Sequence, residues 1–244
     1  MKKLNLPISN LKKIAGETFE IQFDLKEKFD YQAGQYVTLI INEEVKDNRG
    51  KSRAFSLSSS PNNKKFISTI FRFKKDHSGF KDYLVNAPIG TKVTVYGPHG
   101  NFLLPKSSIK PVVMVAGGIG IVPFISMIKY ATETNSNQEI KLLYTDKSEE
   151  RISYFDELVK LDKENYNFSF VNQFKKIDST FIRNNSDIKN SLFYICGTME
   201  MVSNVKDMLI KMGIKEKNIL LEKFSGYPFW ILTKPKTLYN KIND

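Results

Sequence analysis

Two short runs in this sequence have the residue types needed to hold phosphate and a planar ring. The first is Val115-Ala116-Gly117-Gly118-Ile119-Gly120-Ile121-Val122-Pro123. Glycines at a strand-to-helix turn let backbone N–H groups approach a pyrophosphate, and the helix N-terminus adds partial positive charge. Pro123 suits a first helical turn, where its missing N–H costs nothing. The spacing is not G-x-G-x-x-G, nor a P-loop, because no Gly-Lys-Ser/Thr follows. Taken alone, the run is also compatible with a tight turn that binds nothing. The second run is Arg53-Ala54-Phe55-Ser56-Leu57-Ser58-Ser59-Ser60-Pro61. Arg53 can pair with phosphate through two parallel N–H groups. Phe55 lies two residues on, so in a strand it faces the same side and can lie against a planar ring. Ser56 offers a hydroxyl at that ring's edge. Alone, Phe55 reads equally as core and Arg53 as a solvated strand charge. Ser78-Gly79-Phe80 begins a helix-like stretch and supplies a second anion-holding N-terminus.

The elements that must position these residues change character along the chain. The first hundred residues contain FEIQFDL, AGQYVTLII, RAFSLSSS, KFISTIFRF and TKVTVYG. These runs are rich in β-branched and aromatic residues and are punctuated by Asn, Asp, Gly and Pro, which predicts short strands of a closed or nearly closed antiparallel barrel. One helix-like piece interrupts them from Ser78 to about Asn86. After Pro111 strands alternate with helices: VVMVA, PFISMIKYATE, IKLLYTD, SYFDELVKL, YNFSFVNQ, SLFYICG, MEMVSNVKDMLIKMG and NILLEKF. That rhythm means a parallel sheet with right-handed crossovers. The boundary falls near residues 103–111. At the end of the second α/β strand, Thr145-Asp146 should face the nucleotide. Asp146 there can accept from a ribose 2′-hydroxyl, whereas Lys147 and Arg151 would favour a 2′-phosphate.

Composition excludes several function classes. The 244 residues carry a net charge of +11, yet only five of the 37 basic residues are arginine. A nucleic-acid groove normally recruits arginine for bidentate contacts, so no nucleic-acid role is expected. The scattered lysines fit solvated surface or a face that steers an acidic partner. One cysteine and two histidines leave no disulfide framework, no four-thiolate iron–sulfur cluster and no metal site within this sequence. The most apolar stretch, 111–128, is broken by Gly117, Gly118, Gly120 and Pro123, so no membrane span is expected; with no apolar leader visible, a cytoplasmic location is the default.

Six short motifs, in this order, resemble the ferredoxin–NADP reductase superfamily over roughly residues 1–227. They are Gly34-Gln35-Tyr36, Arg53-x-Phe55-Ser56-x-x-Ser59-x-Pro61, Gly97-Pro98-x-Gly100-x-Phe102, Gly117-Gly118-x-Gly120-x-x-Pro123, Cys196-Gly197 before a helix carrying Met201, and Glu222-Lys223-Phe224. The resemblance implies a two-domain β plus α/β fold. An antiparallel six-stranded Greek-key barrel binding flavin would span 1–105, a Rossmann-like parallel α/β domain binding NAD(P) 110–227, and a C-terminal tail 228–244.

The resemblance also implies roles. Arg53 would hold the pyrophosphate of FAD, which is implied in preference to FMN, and Phe55 would stack on the flavin where the family more often has Tyr. Ser56 would hydrogen-bond near flavin N5, and Ser59 shares that segment. The backbone around Ile70 and Arg72 would meet the pyrimidine edge, and Ser78, Gly79 and Phe80 would offer amides to phosphate. Gly117, Gly118, Gly120 and Pro123 would cradle NADH or NADPH. Cys196, Gly197, Met201, Glu222 and Phe224 would surround the nicotinamide, with Ser56, Cys196 and Glu222 as the groups nearest the chemistry. Two departures stand out: Val122 where many members have Thr, and Asp82 where many have Ser or Thr. The activity implied is hydride transfer from NAD(P)H to FAD, with electrons passed to a one-electron carrier protein such as a ferredoxin or flavodoxin, or to an oxygenase. Small acceptors (free flavin, ferric chelates, quinones) and an electron-transfer subunit of a larger complex are the alternatives. Tyr227, Phe229 and Trp230 of the tail would either fold over the flavin or adenine, or pack on the barrel or a partner.

Overall fold

The computed structural model describes residues 1–47, 50–73, 78–105 and 110–224. The expected tail at 228–244 and the last expected α/β residues, 225–227, lie outside the described residues. Six antiparallel strands come first: β1 (Lys2–Ala15), β2 (Thr18–Asp24), β3 (Tyr36–Ile40), β4 (Ser52–Ser56), β5 (Phe66–Arg72) and β6 (Lys92–His99), with α1 (Gly79–Asn86) before β6. Their spatial order is β4-β3-β6-β1-β2-β5, a Greek-key arrangement. β1 was not among the sequence-predicted strands, because its lysines and Pro7 obscure an alternation of Leu4, Leu6 and Ile8, all buried in the barrel. It serves two partners in turn, pairing with β6 from Lys2 to Pro7 and with β2 from Ile8 onward, with a register shift after Ile8.

The two end strands of that order meet through serines rather than a ladder. The strand expected over 53–60 stops at Ser56, and the serines beyond it reach β5. Ser58 N–H donates to Ser68 O at 2.8 Å, Ser59 Oγ accepts from Ser68 N–H at 3.0 Å, and Thr69 Oγ1 donates to Ser56 O at 2.7 Å. Helix α1 lies against the barrel core with Phe80 and Leu84 fully buried.

The second sheet is parallel, order β11-β10-β7-β8-β9, built from β7 (Val112–Gly117), β8 (Ile140–Thr145), β9 (Phe168–Gln173), β10 (Leu192–Thr198) and β11 (Ile219–Phe224). Helices α2 (Val122–Glu133), α3 (Phe155–Glu164), α4 (Ser179–Asn185) and α5 (Met199–Lys211) cover it. Alternation along β7 sorts the layers. Val112, Met114 and Ala116 pack in the cluster that holds α2 and Leu158 of α3; Val113 and Val115 pack with Ile182 of α4 and with Val202, Val205 and Leu209 of α5. Burial on both faces is why these strands read as continuous apolar runs. α4 was not expected; it is a short helix in a polar stretch, capped by Asp178 accepting from Phe181 N–H at 2.7 Å. A 3-10 turn, Gly118–Ile121, separates β7 from α2.

The two domains share one apolar layer: Ala33, Ile70 and Phe102 belong to the same buried cluster as α2. Ser126 Oγ of α2 donates to Ser59 O at 2.6 Å, and Tyr194 OH donates to Leu103 O at 2.8 Å. At the contact Gly34 has φ +99°, and a Cβ there would lie 2.1 Å from Phe102 O and 2.4 Å from Met127 Cε. Neither the backbone angle nor the space admits a side chain. Gly34→Ala is therefore expected to cost at least about 2 kcal/mol of stability, read by urea or thermal unfolding of the full chain; an unchanged midpoint would contradict this packing.

Candidate functional site

The parallel sheet places its crevice by topology. β7 sits mid-sheet, with β8 on one side and β10 on the other, so the chain reverses its winding direction between β7 and β10. Ligands in open α/β sheets bind outside the carboxyl ends of the strands at such a point. Here those ends carry Gly117, Gly118, Cys196 and Gly197. The glycines do different work. Gly118 has φ +55°, and a Cβ on it would stand 3.4 Å from Arg72 Nη1 and 3.8 Å from Asp146 Oδ2, at the edge of the crevice. Gly120 is buried, and a Cβ on it would stand 2.1 Å from Cys196 O. It lets the turn lie on β10, so its contribution to phosphate binding is indirect. Pro123 and Val122 are both buried in the first turn of α2. Gly197 packs on the Met201 thioether, whose Sδ would lie 2.8 Å from a Cβ there; Gly117 touches the same side chain.

On the barrel side, Arg53 and Phe55 share one face of β4, and Phe80 packs over both. The Arg53 guanidinium lies 5.2 Å from the Phe80 ring centroid, and the Phe55 ring stacks at 6.0 Å from it. Phe55 also meets Phe71 edge-on at 6.2 Å and is 8% exposed, so it sits in the barrel core cluster. Arg53 donates through Nη1 to Gly50 O at 3.0 Å and Ser52 O at 2.7 Å. Its Nη2 lies 2.5 Å from Asp47 Oδ1. The other Asp47 oxygen accepts from Phe80 N–H at 3.2 Å. A carboxylate is thus clasped between a guanidinium and the first turn of a helix. Ser78 caps that helix, accepting from Lys81 N–H at 3.4 Å. Asp82, one of the two departures from the family pattern, is exposed and accepts from Asn86 Nδ2 at 3.2 Å.

At the seam between the domains, Tyr36 and Ser56 are register partners on β3 and β4, and Cys196 and Glu222 are register partners on β10 and β11. Burial raises the pKa of Tyr36, and the Glu222 charge raises it further. The Ser56 hydroxyl has no protein partner among the described residues. Cys196 is fully buried, and burial followed by the Glu222 charge pushes its thiol well up. Phe224 packs beside the same apolar layer.

Asp146 departs from expectation. Its Oδ2 lies 2.6 Å from Arg72 Nη2, its Oδ1 lies 3.2 Å from Arg151 Nε, and Oδ1 also accepts from Lys147 N–H at 2.8 Å. Arg151 continues to Glu17 at 3.0 Å. Both oxygens expected to read a ribose are therefore occupied in joining the barrel to the α/β domain, and Arg151, expected to favour a 2′-phosphate, is tied at both ends. Other expected site groups also have partners within the protein. The Ser59 hydroxyl is bound to Tyr31 OH at 2.8 Å and to Ser68 N–H, inside the barrel closure. Thr145 Oγ1 donates to Lys175 O. The Arg72 carbonyl accepts from Lys81 Nζ at 2.9 Å. Ile70 stands opposite Glu20, but Ser68, two residues earlier, turns its N–H and C=O to Ser59 and Ser58, so the Ile70 backbone turns to that same side, away from β2.

Comparison with known proteins decides the family. Residues 5–103 match the oxidoreductase FAD-binding domain and residues 114–207 the oxidoreductase NAD-binding domain. The chain belongs to the ferredoxin–NADP reductase superfamily. Its two domains are those of an FAD-dependent NAD(P)H oxidoreductase. The chain is 28% identical over 208 residues to flavohemoprotein A of Dictyostelium discoideum, covering 80% of this chain and 52% of that protein. It is 29% identical over 220 residues to the 2-halobenzoate 1,2-dioxygenase electron transfer component of Burkholderia cepacia, covering 85% and 62%. It thus spans between half and two thirds of these relatives. The fold matches an Amycolatopsis cytochrome P450 reductase with TM-score 0.80 at 21% identity, covering 91% of this chain and 70% of that one. It matches Plasmodium falciparum ferredoxin-NADP+ reductase with TM-score 0.74 at 21% identity, covering 91% and 96%.

The family's FAD-binding role fits the barrel donors. The Arg53 guanidinium and the Phe80 N–H already hold a carboxylate, so the pair is chemically an anion site, and a flavin phosphate is the anion this family would bring to it. Two residues of the arrangement carried no assigned role in the sequence reading. Tyr36 was visible only as part of a motif, and its strand pairing with Ser56 is what places it. Asp47 had no signal, since it lies in a polar Asn- and Gly-containing connection whose partner in space is 33 residues away. Among the described residues no helix is long and apolar enough to cross a membrane, and no group of His, Cys, Asp and Glu is arranged to hold a metal.

Burial lifts the Glu222 carboxyl from its ordinary 4.5 to about 7. The folded state therefore binds this proton more tightly than the unfolded chain does. The associated stability is fully present below pH about 4.5 and is lost as pH rises to about 7. Glu222→Gln should abolish that slope, matching wild type at low pH and exceeding it above pH about 7, measured by unfolding midpoints across the range. Parallel curves for the two proteins would place Glu222 in contact with water instead.

Proposed function

We propose that this chain takes hydride from NAD(P)H and delivers electrons through FAD to a separate acceptor, a one-electron carrier protein or an oxygenase. What supports the reading is the pairing of an FAD-binding and an NAD-binding domain, the first with an anion site at Arg53 and the second with a glycine turn at Gly117-Gly118 at the carboxyl ends of its strands. FAD, when bound, accepts a hydride and releases electrons singly. The protein's task is positioning. Arg53 and the first turn of α1 hold a phosphate, and Phe55 and Phe80 present apolar surface beside it. Ser56, opposite Tyr36 on β3, would offer its hydroxyl to the flavin edge. On the other side the turn after β7 and the Met201 thioether shape the crevice for the nicotinamide nucleotide. Glu222, near neutrality in pKa, holds or releases a proton beside it. Cys196, buried and held as a thiol, is packing rather than a nucleophile. The choice of a protein acceptor draws on a relative that is itself named as the electron transfer component of a dioxygenase.

The test is anaerobic titration of the purified full chain with NADH and with NADPH, followed by turnover with a one-electron acceptor protein and with free flavin. Bleaching of the flavin band with faster turnover of the protein acceptor supports the reading. A protein that retains FAD and is bleached by neither nucleotide would sink it. Ser56→Ala should slow flavin reduction by between about ten- and about a hundredfold, the worth of one transition-state hydrogen bond, without loss of bound FAD. Stopped-flow absorbance measures it, and an unchanged rate would remove Ser56 from the chemistry.

A further inference from the structure

We infer that Asp47, in the connection between β3 and β4, is an internal anion that competes with the FAD pyrophosphate for Arg53 and the first turn of α1, and so sets how tightly the protein holds its flavin. The inference rests on reading Arg53 as the flavin-phosphate residue.

The geometry is specific. The side chains of Asp47 and Arg53 are 2% and 5% exposed, so this is a buried ion pair, unlike the solvated pairs elsewhere on the barrel such as Lys28–Asp30. One carboxylate oxygen faces Arg53 Nη2 and the other accepts from Phe80 N–H. That two-point contact matches what two oxygens of one phosphate would make with a guanidinium and a helix N-terminus. The backbone comes with it. Lys46 O lies so close to Gly79 that a Cβ there would be 2.6 Å away, so residues 46 and 47 lie directly across the first turn of α1. The Gly50 and Ser52 carbonyls accept from Arg53 Nη1. The guanidinium is thus wrapped by its own preceding connection. A pyrophosphate oxygen and the Asp47 carboxylate would call on the same donors at the same place, and like charges cannot share it. Binding FAD must therefore lift residues 46–47 off α1, and the flavin inherits Arg53 only after Asp47 has let go. A buried charge is held only when compensated. Asp47 compensates Arg53 whenever the phosphate is away, which would keep the barrel folded while flavin exchanges.

The experiment uses the full chain stripped of FAD, with affinity read from quenching of flavin fluorescence and thermal midpoints read with and without FAD. Asp47→Asn should bind FAD at least tenfold more tightly than wild type. It should also lower the midpoint of the FAD-free protein while leaving that of the FAD-loaded protein unchanged. Asp47→Ser, smaller and equally neutral, is measured in parallel in case the amide does not fold. Weaker FAD binding in both variants, or equal affinity with destabilisation of both forms, would overturn the inference and make the pair an ordinary structural one. Arg53→Gln separates the two levels. It should weaken FAD binding at least tenfold. If it does, and Asp47→Asn fails to tighten binding, only the competition is wrong. If Arg53→Gln leaves FAD affinity unchanged, the assignment of Arg53 to the flavin phosphate is wrong and the competition falls with it.

Discussion

One buried carboxylate joins the two halves of this molecule. Asp146, at the end of β8, receives Arg72 from the last residue of β5 and Arg151 from its own domain, and Arg151 passes on to Glu17 in the turn between β1 and β2. Removing Asp146 would leave two largely buried guanidinium groups without their shared carboxylate, so the network constrains orientation more than it adds net stability. The same seam carries Ser126 of α2 donating to Ser59 O and Tyr194 donating to Leu103 O, so the two domains are fixed by polar contacts as well as by their shared apolar layer.

The arrangement also explains why anion chemistry dominates both sides. Each of the two helix starts has an arginine beside it, both supplied by the barrel: Arg53 of β4 at α1, and Arg72 of β5 at the turn after β7. In each case the guanidinium is held by an internal carboxylate, Asp47 or Asp146. Guanidinium groups held in this way are already desolvated and aimed. A phosphate exchanging for a carboxylate keeps the charge balance, whereas a phosphate meeting a bare, hydrated arginine would first have to strip its water.

Around the seam the electrostatics run toward neutrality. Burial raises the pKa of Glu222, and Glu222 in turn raises those of Cys196 and Tyr36. A carboxyl near pH 7, a thiol that stays protonated and a phenol that stays protonated make a pocket that adds little fixed charge. That suits an uncharged reacting ring flanked by phosphates whose charges are handled elsewhere.

The local signals in the sequence carried much of this. Continuous apolar runs identified the parallel strands because both faces are covered, Ser78 marked a helix start that Phe80 and Leu84 then anchor, and the order of short glycine and aromatic motifs identified the family. β1 and α4 escaped because lysine-rich alternation and a seven-residue polar helix give weak periodicity. The partners of single residues were less legible. Ser59 is bonded inside the barrel closure, Thr145 to the Lys175 carbonyl and Asp146 to Arg72 and Arg151. What the sequence determined by itself was the kind of chemistry, through residue types at fixed local spacing. Where each carboxylate docks was decided only in three dimensions, since Asp47 with the Phe80 N–H and Asp146 with Arg72 are pairs separated by 33 and 74 residues, and long-range pairing leaves no local pattern to read.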